Sequence, residues 1–432
     1  MIKNETKIVK ILSLAILSIP ALLITGPFLS DLVVSFVSLF FLVLSFKYYP
    51  KFRKYYNNIY FKYFFIFYLF LVLSSIFSDF IIFSLKNSFF YFRFGIFSLC
   101  IWYILDNNSK FLKYFYYSLL FTFLILILDS IYQYITGFNI LGYPFQKPRL
   151  SSFFGDELIL GSYLSRLYPL LFGTTIFCIN NKLISKKNLF LSALVFVFLE
   201  LLIFLSGERV AFFYLNISLI LFLFLSSNYK IFRLFIYIVS IILIFIVSTL
   251  DRSNIDRFYT QSINEMQLKS EKKYIFSRAH NEIYDSSLKI FEDNLVIGVG
   301  PKNYQKACNN PKYFAKRELF INSSLDRVKY VNACNTHSHN TYIQLLAETG
   351  IIGFLFVILI FIICCKRLFE QFYLRIFKKK SILSDFQICL FTSVVISLFP
   401  FLPTGSFFNN WINIIYFLPI GFLLWTFEKR RF

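Results

Sequence analysis

The sequence predicts an all-α polytopic membrane protein of about twelve transmembrane helices, and three observations lead there. Of 432 residues, 57% are apolar and 22% aromatic while 16% are charged, against roughly a quarter charged in an average soluble domain. A soluble globule cannot hide that much apolar surface. The apolar residues form long blocks, among them Leu32–Phe46, Phe115–Leu128, Phe190–Leu205, Ile231–Val247 and Phe354–Cys365, where barrel strands would alternate at a period of two. The net charge of +21 would suggest nucleic acid in a soluble protein, but here Lys and Arg gather in the short segments between blocks and report topology. No nucleic-acid partner is expected.

At about 17–25 residues per span, helices are predicted near 8–26, 29–48, 61–79, 88–105, 114–136, 158–179, 189–206, 210–227, 231–249, 341–365, 385–403 and 411–427. Met1–Pro27 starts basic and turns apolar without a small-x-small cleavage site, so it reads as a retained first span. An even count puts both termini on one side. Lys3, Lys7 and Lys10 share that side with Lys47 to Lys54, Lys110 and Lys113, Lys182, Lys186 and Lys187, Lys230 and Arg233, Lys366 to Lys380, and Lys429 to Arg431. The opposite short loops hold chiefly Lys86, Lys147, Arg149 and Arg209. By the positive-inside rule the first face is cytoplasmic.

The chain therefore divides into nine helices over 1–250, an outward loop over 251–338 and three helices over 339–432. So long a loop is usually functional or disordered. This one mixes charges with Tyr, Phe, Ile and Leu, and Ser277–Phe291 has helical apolar spacing, so a small helical subdomain is expected. Gly137–Glu157 is a second polar stretch on the same face. Five of seven cysteines (Cys100, Cys178, Cys364, Cys365 and Cys389) lie in apolar blocks, where a thiol acts as a small hydrophobe. Cys308 and Cys334 lie in polar, outward sequence, where disulfides persist. A bridge between them would close a loop of roughly 25 residues and stabilise by around 3 kcal/mol; two free thiols are the alternative. No CxxC or zinc spacing occurs.

Polar groups at or inside the membrane boundary are costly and mark functional candidates. Thr336-His337-Ser338-His339-Asn340-Thr341-Tyr342 opens the 341–365 span with two of the three histidines. A neutral imidazole there suits general-base work on a sugar hydroxyl; the plainer reading is a polar cap with interfacial anchors. Glu348, about two turns further on, is either a carboxylate held at the membrane edge or a hydrogen-bonded structural group. Ser206-Gly207-Glu208-Arg209 makes a very short outward turn. Its Arg can pair with Glu208, water or an anionic ligand, and guanidinium binds phosphate in bidentate fashion; a snorkelling Arg is the alternative. Phe276-Ser277-Arg278-Ala279-His280 precedes Gly298-Val299-Gly300-Pro301. A lone Gly pair is a weak phosphate signal, and Arg278 equally suits a solvated helix. The run Arg149–Glu157 leads into the span that holds Arg166, and Arg93 is also intramembrane, so both need partners within the bundle.

Together these clusters resemble the bacterial O-antigen ligase and polymerase family. The carriers are His339-Asn340-Thr341-Tyr342 through Leu346-Ala347-Glu348-Thr349-Gly350-Ile351-Ile352-Gly353, Ser206-Gly207-Glu208-Arg209, Ser277-Arg278, Gly298-Val299-Gly300-Pro301, and Arg149–Glu157 with Leu160-Gly161-Ser162-Tyr163-Leu164. The similarity is most specific over about 189–365. The resemblance implies a GT-C-like, metal-independent and cofactor-free inverting glycosyltransferase in the bacterial inner membrane, with the outward loop periplasmic. It implies a donor glycan on undecaprenyl pyrophosphate, drawn from among the membrane lipids, and as acceptor either lipid A-core or a second lipid-linked glycan. Carried over, Arg209 and Arg278 grip the pyrophosphate and His339 orients or deprotonates the acceptor. Arg149, Arg93, Arg166, His337, Asn340, Tyr342 and Glu348 complete the candidate substrate-binding set. Glu208 departs from the small or hydroxyl residue usual before that Arg, and either weakens phosphate binding or orients the guanidinium. A transporter or flippase is the rival class, but it calls for paired repeats and broken mid-bilayer helices, which the sequence does not suggest. Between ligase and polymerase, the Gly-x-Gly-Pro and His-Asn-x-Tyr pattern in a long penultimate loop favours the ligase.

Overall fold

A computed structural model describes residues 5–185, 187–266, 275–321 and 324–428; Lys3, Lys186 and Lys429 to Arg431 of the predicted basic face lie outside the described residues. In chain order the helices are α1 (Glu5–Leu22), α2 (Pro27–Lys47), α3 (Tyr49–Tyr56), α4 (Ile59–Ile76), α5 (Ile81–Ser88), α6 (Phe92–Asn107), α7 (Phe111–Thr136), α8 (Leu160–Asn180), α9 (Asn188–Leu205), α10 (Arg209–Leu225) and α11 (Lys230–Leu250). Then come α12 (Ser253–Asp256), α13 (Ser262–Glu265), α14 (Arg278–Asp293), α15 (Tyr304–Ala307), α16 (Thr341–Lys378), α17 (Asp385–Ser397) and α18 (Asn410–Glu428). The protein is an all-α polytopic membrane protein.

Local chemistry explains many of the boundaries. Pro27 opens α2 at a position whose N–H is unsatisfied anyway. Gly137 ends α7 in the left-handed conformation, and Ser384 with Gln387 forms a capping box on α17. Among the described residues nine helices are long and apolar enough to cross a membrane. Three further predicted spans are helical but outside that set. α8 carries Arg166 among several polar residues, while α10 has 17 residues and α17 only 13. The predicted 385–403 span stops at Ser397, ahead of a loop containing Pro400 and Pro403. The predicted 341–365 span instead runs on to Lys378. The part of α16 after Gly350, residues 351–378, by itself reaches about 42 Å against a hydrocarbon core of about 30 Å, so its basic C-terminal end is longer than a span needs.

α6 and α18 are central and α11 peripheral: 83% of the apolar window of Ile81–Asn107 and 72% of that of α18 are buried, against 22% for α11. Small residues permit the central contacts. A Cβ at Gly421 would meet Ile101 of α6 at 2.6 Å, and one at Gly173 of α8 would meet Cys389 of α17 at 2.7 Å.

The loop over 251–338 was expected to be helical, and it also contains an antiparallel hairpin, β1 (Ala315–Ile321) with β2 (Ser324–Val331), paired Ala315 to Val331. Contacts distant in sequence hold the hairpin on α14: Asp285 accepts from the Lys316 N–H at 2.7 Å, and Glu282 accepts two bonds from Arg317. A disulfide joins Cys308 to Cys334, their Cα atoms 5.2 Å apart. Ile283, Tyr284, Ile290, Tyr304 and Cys308 form a second small core with Ala347 of α16.

That docking explains the Gly-x-Gly-Pro turn. α16 is broken at Gly350, where φ is +63° and ψ −166°. Into the break run residues 295–300: the Val299 and Gly300 N–H groups donate to the carbonyls of Ala347 (3.1 Å) and Glu348 (2.8 Å), and the Ile351 N–H donates to Leu295 (2.9 Å). Here Gly298 and Gly300 serve backbone-to-backbone packing against the kinked helix.

Candidate active site at the loop end of the bundle

Arg209 is the first residue of α10, projected from the Ser206–Glu208 turn toward a strap formed by α12, a π-helical turn over Arg257–Gln261, and α13. Its guanidinium donates to Ser262 Oγ and to Glu265 Oε2, both at 2.7 Å. From the same strap, Arg257 Nε donates to the Gly207 carbonyl at 2.7 Å and its Nη1 to Gln261 at 3.1 Å. Arg149 closes the other side, donating to the Leu158 carbonyl at 2.7 Å. Gly207, at φ +65°, sits between the two: a Cβ there would lie 3.0 Å from Arg257 Cδ and 3.2 Å from Arg149 Cγ. Burial pushes the Arg149 guanidinium below its ordinary range, with Glu208 acting against the shift and Arg209 with it. Arg257 is pushed down by burial, then by Arg149 and Arg209. Three guanidinium groups thus share one patch.

Glu208 does not pair with Arg209 here. Its carboxylate accepts from the Gly161 N–H (2.7 Å), the Ser162 N–H (3.2 Å) and the Ser162 hydroxyl (2.6 Å), capping the start of α8 from outside and complementing its dipole. Gly161 is required there, because a Cβ would lie 2.3 Å from Ser206 Oγ. Burial raises the Glu208 pKa, opposed by these hydrogen bonds and by Arg149. Glu208→Gln is expected to destabilise the protein by about 1–2 kcal/mol in thermal unfolding of the purified chain. A midpoint equal to that of the unmodified protein would refute the capping role.

All three histidines of the chain meet beside this patch. The rings of His337 and His339 have centroids 4.1 Å apart, and those of His280 and His339 5.6 Å. Ser277 caps α14 and also bonds His280 Nδ1 at 2.7 Å. His337 Nε2 donates to the Thr404 carbonyl at 3.3 Å. His339 takes φ +50°, held by its carbonyl accepting from the Thr404 N–H at 2.8 Å. Burial, then the neighbouring His337 and His280, push the His339 pKa down to about 4. His280 is lowered by burial; Glu265 opposes that shift and Arg209 adds to it, so His280 stands where the arginine patch and the histidine cluster adjoin. Among the described residues no set of three or more His, Cys, Asp or Glu could hold a metal ion.

The other predicted site residues have different surroundings. Arg278 donates to Glu282 one turn on at 3.2 Å, and Glu282 also takes Arg317. Positions i and i+2 of a helix face different ways, which separates Arg278 from His280. Asn340 caps α16 and ties it to the carbonyls of Pro400 and Leu402; Tyr342 donates to Leu398 at 2.7 Å. Glu348 accepts from the N–H groups of Lys302 and Tyr304 and from Gln344. Arg166 lies over the Tyr214 ring, 5.1 Å from its centroid, and Arg93 pairs with Asp31 at 2.9 Å. The structure therefore gathers Arg149, Arg209, His337 and His339, and adds His280 and Arg257, which were not among the predicted site residues. The scarcity of histidine could have flagged His280; nothing in the sequence singles out Arg257.

Fold and site define a multi-pass membrane protein with an anion-suited, histidine-bearing site at one end of the bundle. Residues 193–358 match the O-antigen ligase family. The matched stretch runs from α9 to the first part of α16 and includes Arg209, Arg257, His280 and His339. No curated protein matches the sequence.

Proposed function

We propose that the protein is an O-antigen ligase that moves a glycan from undecaprenyl pyrophosphate to a sugar of lipid A-core on the periplasmic face of the bacterial inner membrane, with both termini cytoplasmic. The observation that carries this reading is the adjacency of a guanidinium patch to a cluster of neutral imidazoles. In the reaction the bond from the anomeric carbon to the pyrophosphate oxygen breaks. A bond from the acceptor oxygen forms on the opposite face, and the hydroxyl proton passes to His339. Negative charge develops on the leaving pyrophosphate, where Arg209 and Arg149 provide fixed stabilisation that needs no metal. Arg278 joins them by leaving Glu282, a partly exposed i,i+4 pair of 3.2 Å of a kind worth about 0.3–0.5 kcal/mol. His337 supports the His339 ring, and the Asn340, Tyr342 and Glu348 contacts hold that segment in place.

The test is to remove the protein from its cell and separate carrier-linked from core-linked glycans. Loss of a ligase leaves long chains on the lipid carrier and bare core. Single repeat units on core would instead establish a polymerase, and glycan retained on the cytoplasmic leaflet a flippase. Unchanged glycans in every fraction would sink the assignment.

A further inference from the structure

The strap over Arg209 supplies both a competitor and a further ligand for the anion that Arg209 would bind. Glu265 and Ser262 occupy the guanidinium edge of Arg209, each at 2.7 Å, with a carboxylate and a hydroxyl set as phosphate oxygens would be. The pair is open to solvent, Arg209 at 33% and Glu265 at 31% side-chain exposure. A ligand can reach it, and such pairs are weak. Among the described residues two carboxylates, Glu208 and Glu265, stand against Arg149, Arg209 and Arg257. Glu208 is consumed by the start of α8, and among the described residues Glu265 is the carboxylate that meets the Arg209 guanidinium. The strap is tethered away from Glu265: Phe258 stacks on Phe204 at 5.3 Å and meets Phe212 edge-on at 5.4 Å. Glu265, seven residues along, is held by polar contacts from Arg209 and Gln261. Arg257 lies next to the tether and is half-buried beside Arg149.

We propose that the strap belongs to the diphosphate site: Glu265 is a resident carboxylate that the donor's diphosphate displaces from Arg209, and Arg257 is a further guanidinium ligand to that diphosphate. This rests on reading Arg209 as a pyrophosphate ligand. No covalent step is added: one anion exchanges for another on the same cation.

Binding of inorganic pyrophosphate to the full chain in lipid nanodiscs, followed by titration calorimetry, tests the exchange. Glu265→Gln keeps a hydrogen-bonding side chain but removes the competing charge, and is expected to tighten binding about tenfold. Arg257→Ala should weaken it by about tenfold, with Arg257→Lys in between, since Lys offers charge without the bidentate fork. Arg209→Ala should weaken it most. If Arg209→Ala weakens binding while Glu265→Gln and Arg257→Ala both bind like the unmodified protein, the strap is no part of the site and the inference falls alone. If Arg209→Ala also binds normally, the reading of Arg209 as a pyrophosphate ligand falls with it. Weakened binding in Glu265→Gln likewise overturns the exchange, because a competing anion cannot strengthen the complex. Unfolding midpoints for all variants separate lost ligands from lost fold.

Discussion

His339→Ala is expected to lower glycan transfer by about 10²–10⁴-fold, the range lost when a positioned general base is removed, in a reconstituted assay with lipid-linked donor and core acceptor. The pH dependence carries a sharper signature. His339 has its pKa pushed down to about 4 by burial and by two neighbouring histidines, so it stands neutral across the physiological range but is a weak base at rest. A bound diphosphate brings negative charge to the site and favours the protonated imidazole. The acid limb of kcat/KM, which reports the free enzyme, should therefore fall near pH 4, and that of kcat, which reports the complex, at higher pH. Identical limbs near pH 6.5 in both would remove His339 from the role. The same shift affects stability. A histidine whose folded pKa lies below its unfolded value contributes stability that is whole above about pH 6.5 and is lost as pH falls toward about 4. The thermal midpoint should accordingly drop across that window, and drop less in His339→Ala.

Gly350→Ala and Gly298→Ala are expected to be the most damaging small substitutions. At Gly350 a Cβ would lie 2.4 Å from the Val296 carbonyl carbon, and at Gly298 it would lie 2.3 Å from that of Glu348. Both are backbone atoms and cannot rotate aside. A backbone at this positive φ costs an L-residue roughly 1–3 kcal/mol, and overpacking adds about 1–3, so a loss of about 3 kcal/mol or more is expected, seen as a lowered unfolding midpoint and poor recovery of monodisperse protein. Gly142→Ala is the control: φ is +88° with nothing within 4 Å of the Cβ, so it should show strain without clash. Equal effects at Gly142 and Gly350 would mean that the docking of 295–300 on the broken helix contributes little.

Much of this architecture was legible in the residues themselves. A span is recognised by the transfer of consecutive apolar side chains into lipid, a sum over neighbours in sequence, so all twelve predicted helices appear near their predicted positions. Caps are equally local: Asn340 starts α16 by accepting from the N–H groups of Tyr342 and Ile343, and Ser277 starts α14. The predicted helix over 277–291 is α14 for the same reason, its apolar face being written at helical spacing. The grouping of Arg149 with Arg209, and of His337 with His339, was suggested by their common side of the membrane.

What the sequence could not disclose depends on partners far along the chain. Glu208 looked like the natural mate of Arg209, its neighbour, yet it caps a helix 46 and 47 residues earlier, because an unsatisfied helix start at the membrane edge is the costlier neighbour to leave alone. Gly298 and Gly300 were only a weak phosphate signal in the sequence, and it is the break at Gly350 that supplies carbonyls for the N–H groups of Val299 and Gly300. The hairpin at 315–331 depends on carboxylates of α14. Arg257 stands in no motif, and it is the strap's hydrogen bond to the Gly207 carbonyl and the meeting of α14 with the segment before α16 that set Arg257 beside Arg209 and His280 beside His339. Hydropathy by itself determined that this chain crosses the membrane repeatedly. Tertiary structure decided which of its many cations face one another at the surface, since like charges are held together by packing and by distant carboxylates, and neither is written in local sequence.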